Sequence, residues 1–170
     1  MLSIYITNLG KYNEGELIGK WVDLPIDDED LESVYAEIGI NEYYEETFIT
    51  DYECDLDGVE VNEYDSISEL NDMAEKLEEL DSYDIEVITA MMSEGYTLDE
   101  AIDKKDDVMF WSDCDDMEDV AIAYCEECGI LDNIPDHLRN YFDYEAFGRD
   151  MSFEGHFIFT NSGNCVQVLN

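Results

Sequence analysis

The sequence predicts an α+β protein made of three small subdomains, and three observations carry that expectation. Apolar and polar residues alternate through most of the first sixty positions. From Ser66 the apolar period lengthens to 3.6, and the chain closes on GHFIFTNSGNCVQVL (155–169), two alternating runs around turn residues. The expected boundaries are 1–61 for a small sheet with one helix, 62–106 for a helical subdomain and 107–170 for a second α+β unit.

In the first segment SIYITN, GKWVDL and ETFITDYE read as strands, with the turn-rich NLGKYNEGELIG between the first two. Asp27 or Asp28 caps a helix whose apolar face is Leu31, Val34, Tyr35 and Ile38, and Gly39 ends it. Asp57-Gly58, between YECDL and VEVNEY, is a hairpin signal. In the second segment Ser66 and Glu69 predict a capping box for a helix with Ile67, Leu70, Met73, Ala74, Leu77 and Leu80 on one face. Another helix covers 83–94 and stops at Gly95. Thr97 with Glu100 predicts a further capping box and a short helix to Lys104. In the third segment VMFWS (108–112) reads as a strand and Asp115 or Asp116 as the cap of the next helix. Pro135 fits the first turn of a later helix, Asp143 caps another, and a hairpin turns around 161–164.

The chain of 170 residues sets 46 Asp and Glu against seven Lys and Arg, so at least 39 carboxylates have no basic partner of their own. The charge is spread: residues 1–60, 61–110 and 111–170 carry −15, −13 and −11, unlike an acidic tail. With 45% hydrophobic residues, 12% aromatics and two prolines, the chain is expected to fold despite its charge. No apolar run is long enough to span a membrane and the start lacks a leader pattern, which predicts a soluble, cytoplasmic protein. Five cysteines without a dense framework suit a reducing compartment.

The stretch DCDDMEDVAIAYCEECG (113–129) crowds seven carboxylates and three thiols together. On an ideal helix Met117, Val120, Ala121, Tyr124, Cys125 and Cys128 share one face, while Asp116, Glu118, Asp119, Glu126 and Glu127 take the other. The thiols are therefore expected in the core. Cys125-Glu-Glu-Cys128 as a redox pair lacks the positive helix end or cation that lowers a thiol pKa. Zinc would need Cys114, Cys125, Cys128 and His137 or Cys165, a spacing without paired knuckles. DYECDLDGVEVNEY imitates a calcium loop but places Tyr64 where a bidentate Glu belongs. Carboxylate pairs carry no information in so acidic a chain, and His137 and His156 stand in no catalytic motif, so no cofactor, metal or enzymatic activity is expected. The sign of the charge excludes binding to nucleic acid.

Charge itself is then the candidate function. Asp72, Glu75 and Glu79 lie three and four apart on one helix, where each like-charge pair costs roughly 0.2–0.5 kcal/mol. A surface serving solubility alone would mix signs. A compact chain of this size exposes about 8,600 Å², or about 220 Å² per net charge, against about 107 Å² for a DNA duplex. One chain carries the charge of about 20 base pairs, so acids gathered on one face could stand in for phosphates. The candidate face comprises Glu69, Asp72, Glu75, Glu79, Asp106, Asp107, Asp113, Asp115, Asp116, Glu118, Asp119, Glu126 and Glu127. The acids of 113–119 and of 69–79 are expected on a single outer face. Halophilic adaptation is the competing account, and folding at low salt argues against it.

YNEGELIGKWVDLP (12–25) and HLRNYFDYEAFGRDM (137–151) closely resemble the ArdA antirestriction proteins. The matching positions are Tyr12, Asn13, Gly15, Gly19, Trp21, Asp23 and Leu24, then Leu138, Tyr141, Phe142, Asp143, Tyr144, Glu145, Gly148, Arg149 and Asp150. The resemblance implies an elongated homodimer, encoded on mobile elements such as a conjugative transposon or plasmid. It also implies imitation of bent B-form DNA in the DNA-binding groove of type I restriction-modification enzymes, without catalysis. Trp21, Phe142, Tyr144 and Gly148 then belong to the core or a subunit contact. The dimer contact is expected at Tyr141, Phe142, Tyr144 and Phe147. Enzyme range, the balance between blocking cleavage and blocking methylation, and dimer curvature follow from geometry.

Overall fold

Leu2, Ile4 and Ile6 occupy alternate positions of the opening strand and are all but fully buried, as a period of two demands when one sheet face is covered. In the computed structural model, which describes residues 1–169, this strand is β1 (Leu2–Asn8). It is the centre of an antiparallel sheet with β2 (Gly19–Leu24) on one edge and β3 (Thr47–Cys54) on the other. Ile4 faces Val22 across the first pair, and the second register shifts between Tyr5 and Ile6.

The stretch after β1, read from sequence as turns, contains a five-residue helix, α1 (Leu9–Asn13). Asn8 makes it possible: its Oδ1 accepts from the Lys11 N–H at 3.0 Å while its Nδ2 donates to the Ile38 carbonyl at 3.1 Å. Both ends of a fully buried amide are thus satisfied. α2 (Asp28–Glu37) starts on Asp27, whose carboxylate accepts from the Asp30 N–H at 2.8 Å. It buries Val34 and Ile38, and gives way to Gly39 at φ +81°.

The expected hairpin at Asp57-Gly58 does not form. Gly58 turns the chain at φ +92°, but residues 55–66 hold no strand. The hairpin register would set Asp55 opposite Glu60, a destabilising like-charge pair. Asp55 instead accepts an ion pair from the Met1 ammonium at 2.8 Å, and its N–H donates to the Met1 carbonyl. α3 (Ile67–Glu78) buries Leu70, Ala74 and Leu77. Asn71 docks it by bonding both the N–H and the carbonyl of Ile26, at 3.0 and 2.8 Å. Ser66 is the N-cap, yet its hydroxyl makes no capping bond. Ser66 and Glu69 are both exposed, where water serves the same groups, so the predicted capping box is absent.

The chain divides into two compact units, Met1–Ser82 and the residues from Tyr83 onward, a border that falls inside the segment 62–106. All but the first residue of α4 (Ser82–Ser93) lies in the second unit, and the helix buries Val87, Ile88, Ala90 and Met91 and yields to Gly95 at φ +95°. α5 (Leu98–Lys104) carries the predicted capping box: Thr97 accepts from the Glu100 N–H while Glu100 accepts from the Thr97 N–H at 2.9 Å. β4 (Val108–Trp111), β5 (His156–Phe159) and β6 (Cys165–Val168) form an antiparallel sheet in the order β4-β6-β5. Its core cluster joins Trp111, Cys114, Val120 and Cys165.

α6 (Met117–Glu127) packs along α8 (Tyr144–Glu154), with the short α7 (Asp136–Arg139) between them in sequence. Asp116 caps α6 and Asp143 caps α8. Pro135 stands at the N-cap of α7, one position before its first turn.

Candidate functional site

None of the 46 carboxylates is buried, and only Asp65, Asp84, Glu86 and Asp119 are as much as half-buried. At least five of the seven Lys and Arg are engaged in ion pairs: Lys11 with Glu14, Lys20 with Glu37, Lys105 with Asp84 and Asp106, Arg139 with Asp136, and Arg149 with Asp150.

In the first unit Glu69, Asp72, Glu75 and Glu79 are all exposed, opposite the buried stripe of α3. Glu75 also lines a groove of about 540 Å³ with Trp21, Asp23, Asp27, Asp30 and Asn71. α2 is an equally acidic helix that the candidate face omitted. Its Asp28, Glu29 and Asp30 crowd the first turn and Glu32 and Glu37 follow, all exposed. The run IDDEDLE was the available signal.

In the second unit Asp106, Asp107, Asp113, Asp115, Asp116, Glu118, Glu126 and Glu127 are exposed, and Asp119 is half-buried. The acidic turn before α6 is held by its own backbone. Asp113 sits at φ +55° and its N–H donates to the Asn164 side-chain oxygen at 3.0 Å. The Asp115 N–H donates to Asp119 at 3.1 Å, which accounts for the partial burial of Asp119. Asp116 accepts from the N–H groups of Glu118 and Asp119 at 2.8 and 3.1 Å. These acids gather where the helix dipole is positive, whereas Glu126 and Glu127 load its negative end with no basic residue in the last turn.

The predicted stripe of α6 holds for Val120, Ala121 and Cys125, which are buried, but Cys128 is exposed. The helix ends at Glu127 and Cys128 is its C-cap, so an ideal wheel runs one residue too far. Burial pushes the Cys125 thiol up. Burial and then the charges of Asp119, Asp113, Asp115 and Asp116 raise Cys114, and burial lifts Cys165 to about 12. None of the three is poised as a thiolate. Among the described residues no three His, Cys, Asp or Glu gather to hold a metal ion, and no helix is long and apolar enough to cross a membrane.

The second motif divides by exposure. Phe142 packs edge-on against Tyr144 at 4.9 Å and Phe147 at 5.6 Å, and Phe147 continues to Tyr124 at 6.2 Å. Tyr141 alone of the four aromatics projects outward, at 84% exposure. In the first motif a Cβ on Gly19 would come within 2.6 Å of the Ile6 carbonyl oxygen, so β1 and β2 pair closely only with glycine there. Trp21 beside it stacks edge-on to Tyr5 at 5.5 Å and stays 42% exposed.

The family described as antirestriction protein (ArdA) matches residues 4–166. No curated protein matches the chain.

Proposed function

Because the chain belongs to the ArdA antirestriction family, we propose that it inhibits type I restriction-modification enzymes as a DNA mimic. Its carboxylates take the place of phosphates in the enzyme's DNA-binding groove and block cleavage of incoming mobile DNA. The observation that carries this reading is the complete surface placement of the acids: all but four are exposed, on the helices, strands and turns and on the segments that join them, with too few cations to neutralise them. A positively charged groove evolved for phosphates is the surface that such a field complements.

The average density is lower than that of DNA. An accessible surface of 10760 Å² shared among 39 net charges leaves about 280 Å² for each, against about 107 Å² for a duplex. Mimicry therefore rests on concentrated faces: α3 and α2 in the first unit, and the turn and first half of α6 in the second. The working species is a homodimer whose contact lies at Tyr141, Phe142, Tyr144 and Phe147, with Tyr141 the exposed member of the four. No catalytic step is involved.

The test is a competition titration of the purified protein against a type I enzyme bound to a labelled duplex carrying its site. Displacement near stoichiometric dimer supports mimicry. Protein that is folded at the assay salt yet leaves the duplex bound would overturn it, and unfolding at low salt would favour halophilic adaptation.

A further inference from the structure

Glu86 on α4 lies outside the candidate face, and the fold ties it to residues 74 to 78 positions away. One oxygen, Oε1, accepts from the Thr160 hydroxyl at 2.7 Å, from the Ser162 hydroxyl, and from the Asn164 side-chain amide at 2.9 Å. All three donors belong to the turn between β5 and β6. That turn is closed by the Thr160 N–H on the Asn164 carbonyl at 2.8 Å and by Gly163 at φ +79°.

The other end of the Asn164 amide faces the acidic turn, where its Oδ1 accepts from the Asp113 N–H at 3.0 Å. A carboxylate only accepts, so Glu86 dictates which end of the amide points at Asp113. Flipping it would set two donors against each other at Asp113 and two acceptors at Glu86. Asp113 holds the left-handed backbone that a residue other than glycine rarely adopts, so it needs such an external anchor. Gly163 lies beside Asp115, where an added Cβ would stand 3.1 Å from Oδ1.

We infer that Glu86 is a positioning residue for the acidic turn 113–116, fixing through Asn164 where the carboxylates of Asp113, Asp115 and Asp116 stand. Its effect on inhibition rests on the mimicry reading. Partial burial raises the Glu86 carboxyl, but the bonds from Ser162, Asn164 and Thr160 outweigh this and hold it below the usual glutamate range. It is thus ionised wherever the mimic would work.

The test compares Glu86→Ala, Glu86→Gln and a core control on the same helix, Met91→Ala, by amide NMR and by the competition titration. Glu86→Ala should shift the Asp113 and Asp115 amide resonances and raise the half-displacing concentration about five-fold, since the acids are moved rather than removed. Glu86→Gln, which keeps the accepting oxygen, should restore both. Met91→Ala should melt earlier yet leave both unchanged. Asn164→Ala severs the same link at the turn and serves if Glu86→Ala does not fold. Unshifted Asp113 resonances in a folded variant, or equal loss of potency in Met91→Ala, would overturn the inference. If the wild-type protein displaces no DNA, mimicry falls alone, and the Asp113 resonances still decide the positioning.

Discussion

Gly148 of α8 meets the carbonyl of Met117, the first residue of α6, so closely that a Cβ would overlap the Met117 oxygen and stand 2.7 Å from its carbonyl carbon. This contact seats the start of α6, where Asp116 and Glu118 flank Met117. Gly148→Ala should lose about 1–3 kcal/mol of stability, the usual cost of overpacking a close contact. Denaturant unfolding checks it, and an unchanged midpoint would mean that the helices separate freely.

Binding spread over many charges predicts weak single effects. Glu75→Gln should raise the half-displacing concentration by less than about five-fold, in keeping with the ~0.2–1 kcal/mol of an exposed ion pair. The joint replacement of Glu69, Asp72, Glu75 and Glu79 by their amides should weaken displacement far more. It should also raise the melting temperature, because each relieved like-charge pair returns roughly 0.2–0.5 kcal/mol. Abolition of inhibition by one substitution in a folded protein would contradict distributed binding.

Salt should act with opposite signs on folding and on competition. Raising it from about 0.05 to 0.5 M shortens the Debye length to well below 10 Å, which relieves self-repulsion and raises the melting temperature. The same screening should raise the concentration needed to displace DNA, provided the duplex is bound to the same extent at each salt. Parallel changes in both would argue against an electrostatic origin.

Tyr141 is exposed while Phe142, Tyr144 and Phe147 are engaged with each other. Tyr141→Asp should therefore leave the monomer's melting curve nearly unchanged and shift sedimentation from dimer toward monomer. A fully dimeric Tyr141→Asp would place the subunit contact elsewhere.

The thiols should divide by depth. With Ellman's reagent at mildly alkaline pH, Cys128 should react in the native protein, Cys54 more slowly, and Cys114, Cys125 and Cys165 only after unfolding. Rapid reaction at Cys165, whose thiol is pushed up to about 12 by burial, would show that the core around Trp111 opens readily.

Local chemistry was the most legible part of the sequence. Asp27, Thr97, Asp116 and Asp143 cap the helices they precede because a cap is decided within three residues. The strands around Ile4, Val22 and Val166 were legible because one face of each sheet is covered. Ser66 and Asp57-Gly58 carried equally good local signals that failed, the first to solvent and the second to the charge of Asp55 and its contact with Met1. α1 was hidden because its cap, Asn8, is fixed by Ile38, thirty residues on. The link from Glu86 to Asp113 had no local signal, since its partners meet only once the second sheet has closed. The acids of 113–119 were identifiable as a surface, and the aromatics of 141–147 were not separable into inward and outward members.

The three aspartate caps also bear on how this surface can diversify. At Asp27, Asp116 and Asp143 the carboxylate reaches backbone N–H groups from a one-carbon side chain, and a glutamate would carry it past them. Exposed acids such as Glu69 and Glu75 cap nothing, and one carboxylate length serves there as well as the other. A lineage can exchange Asp for Glu over most of this exterior, losing sequence identity while keeping its electrostatic field, as long as those three positions stay short and backbone-bonded acids such as Glu100 and Asp119 keep their length.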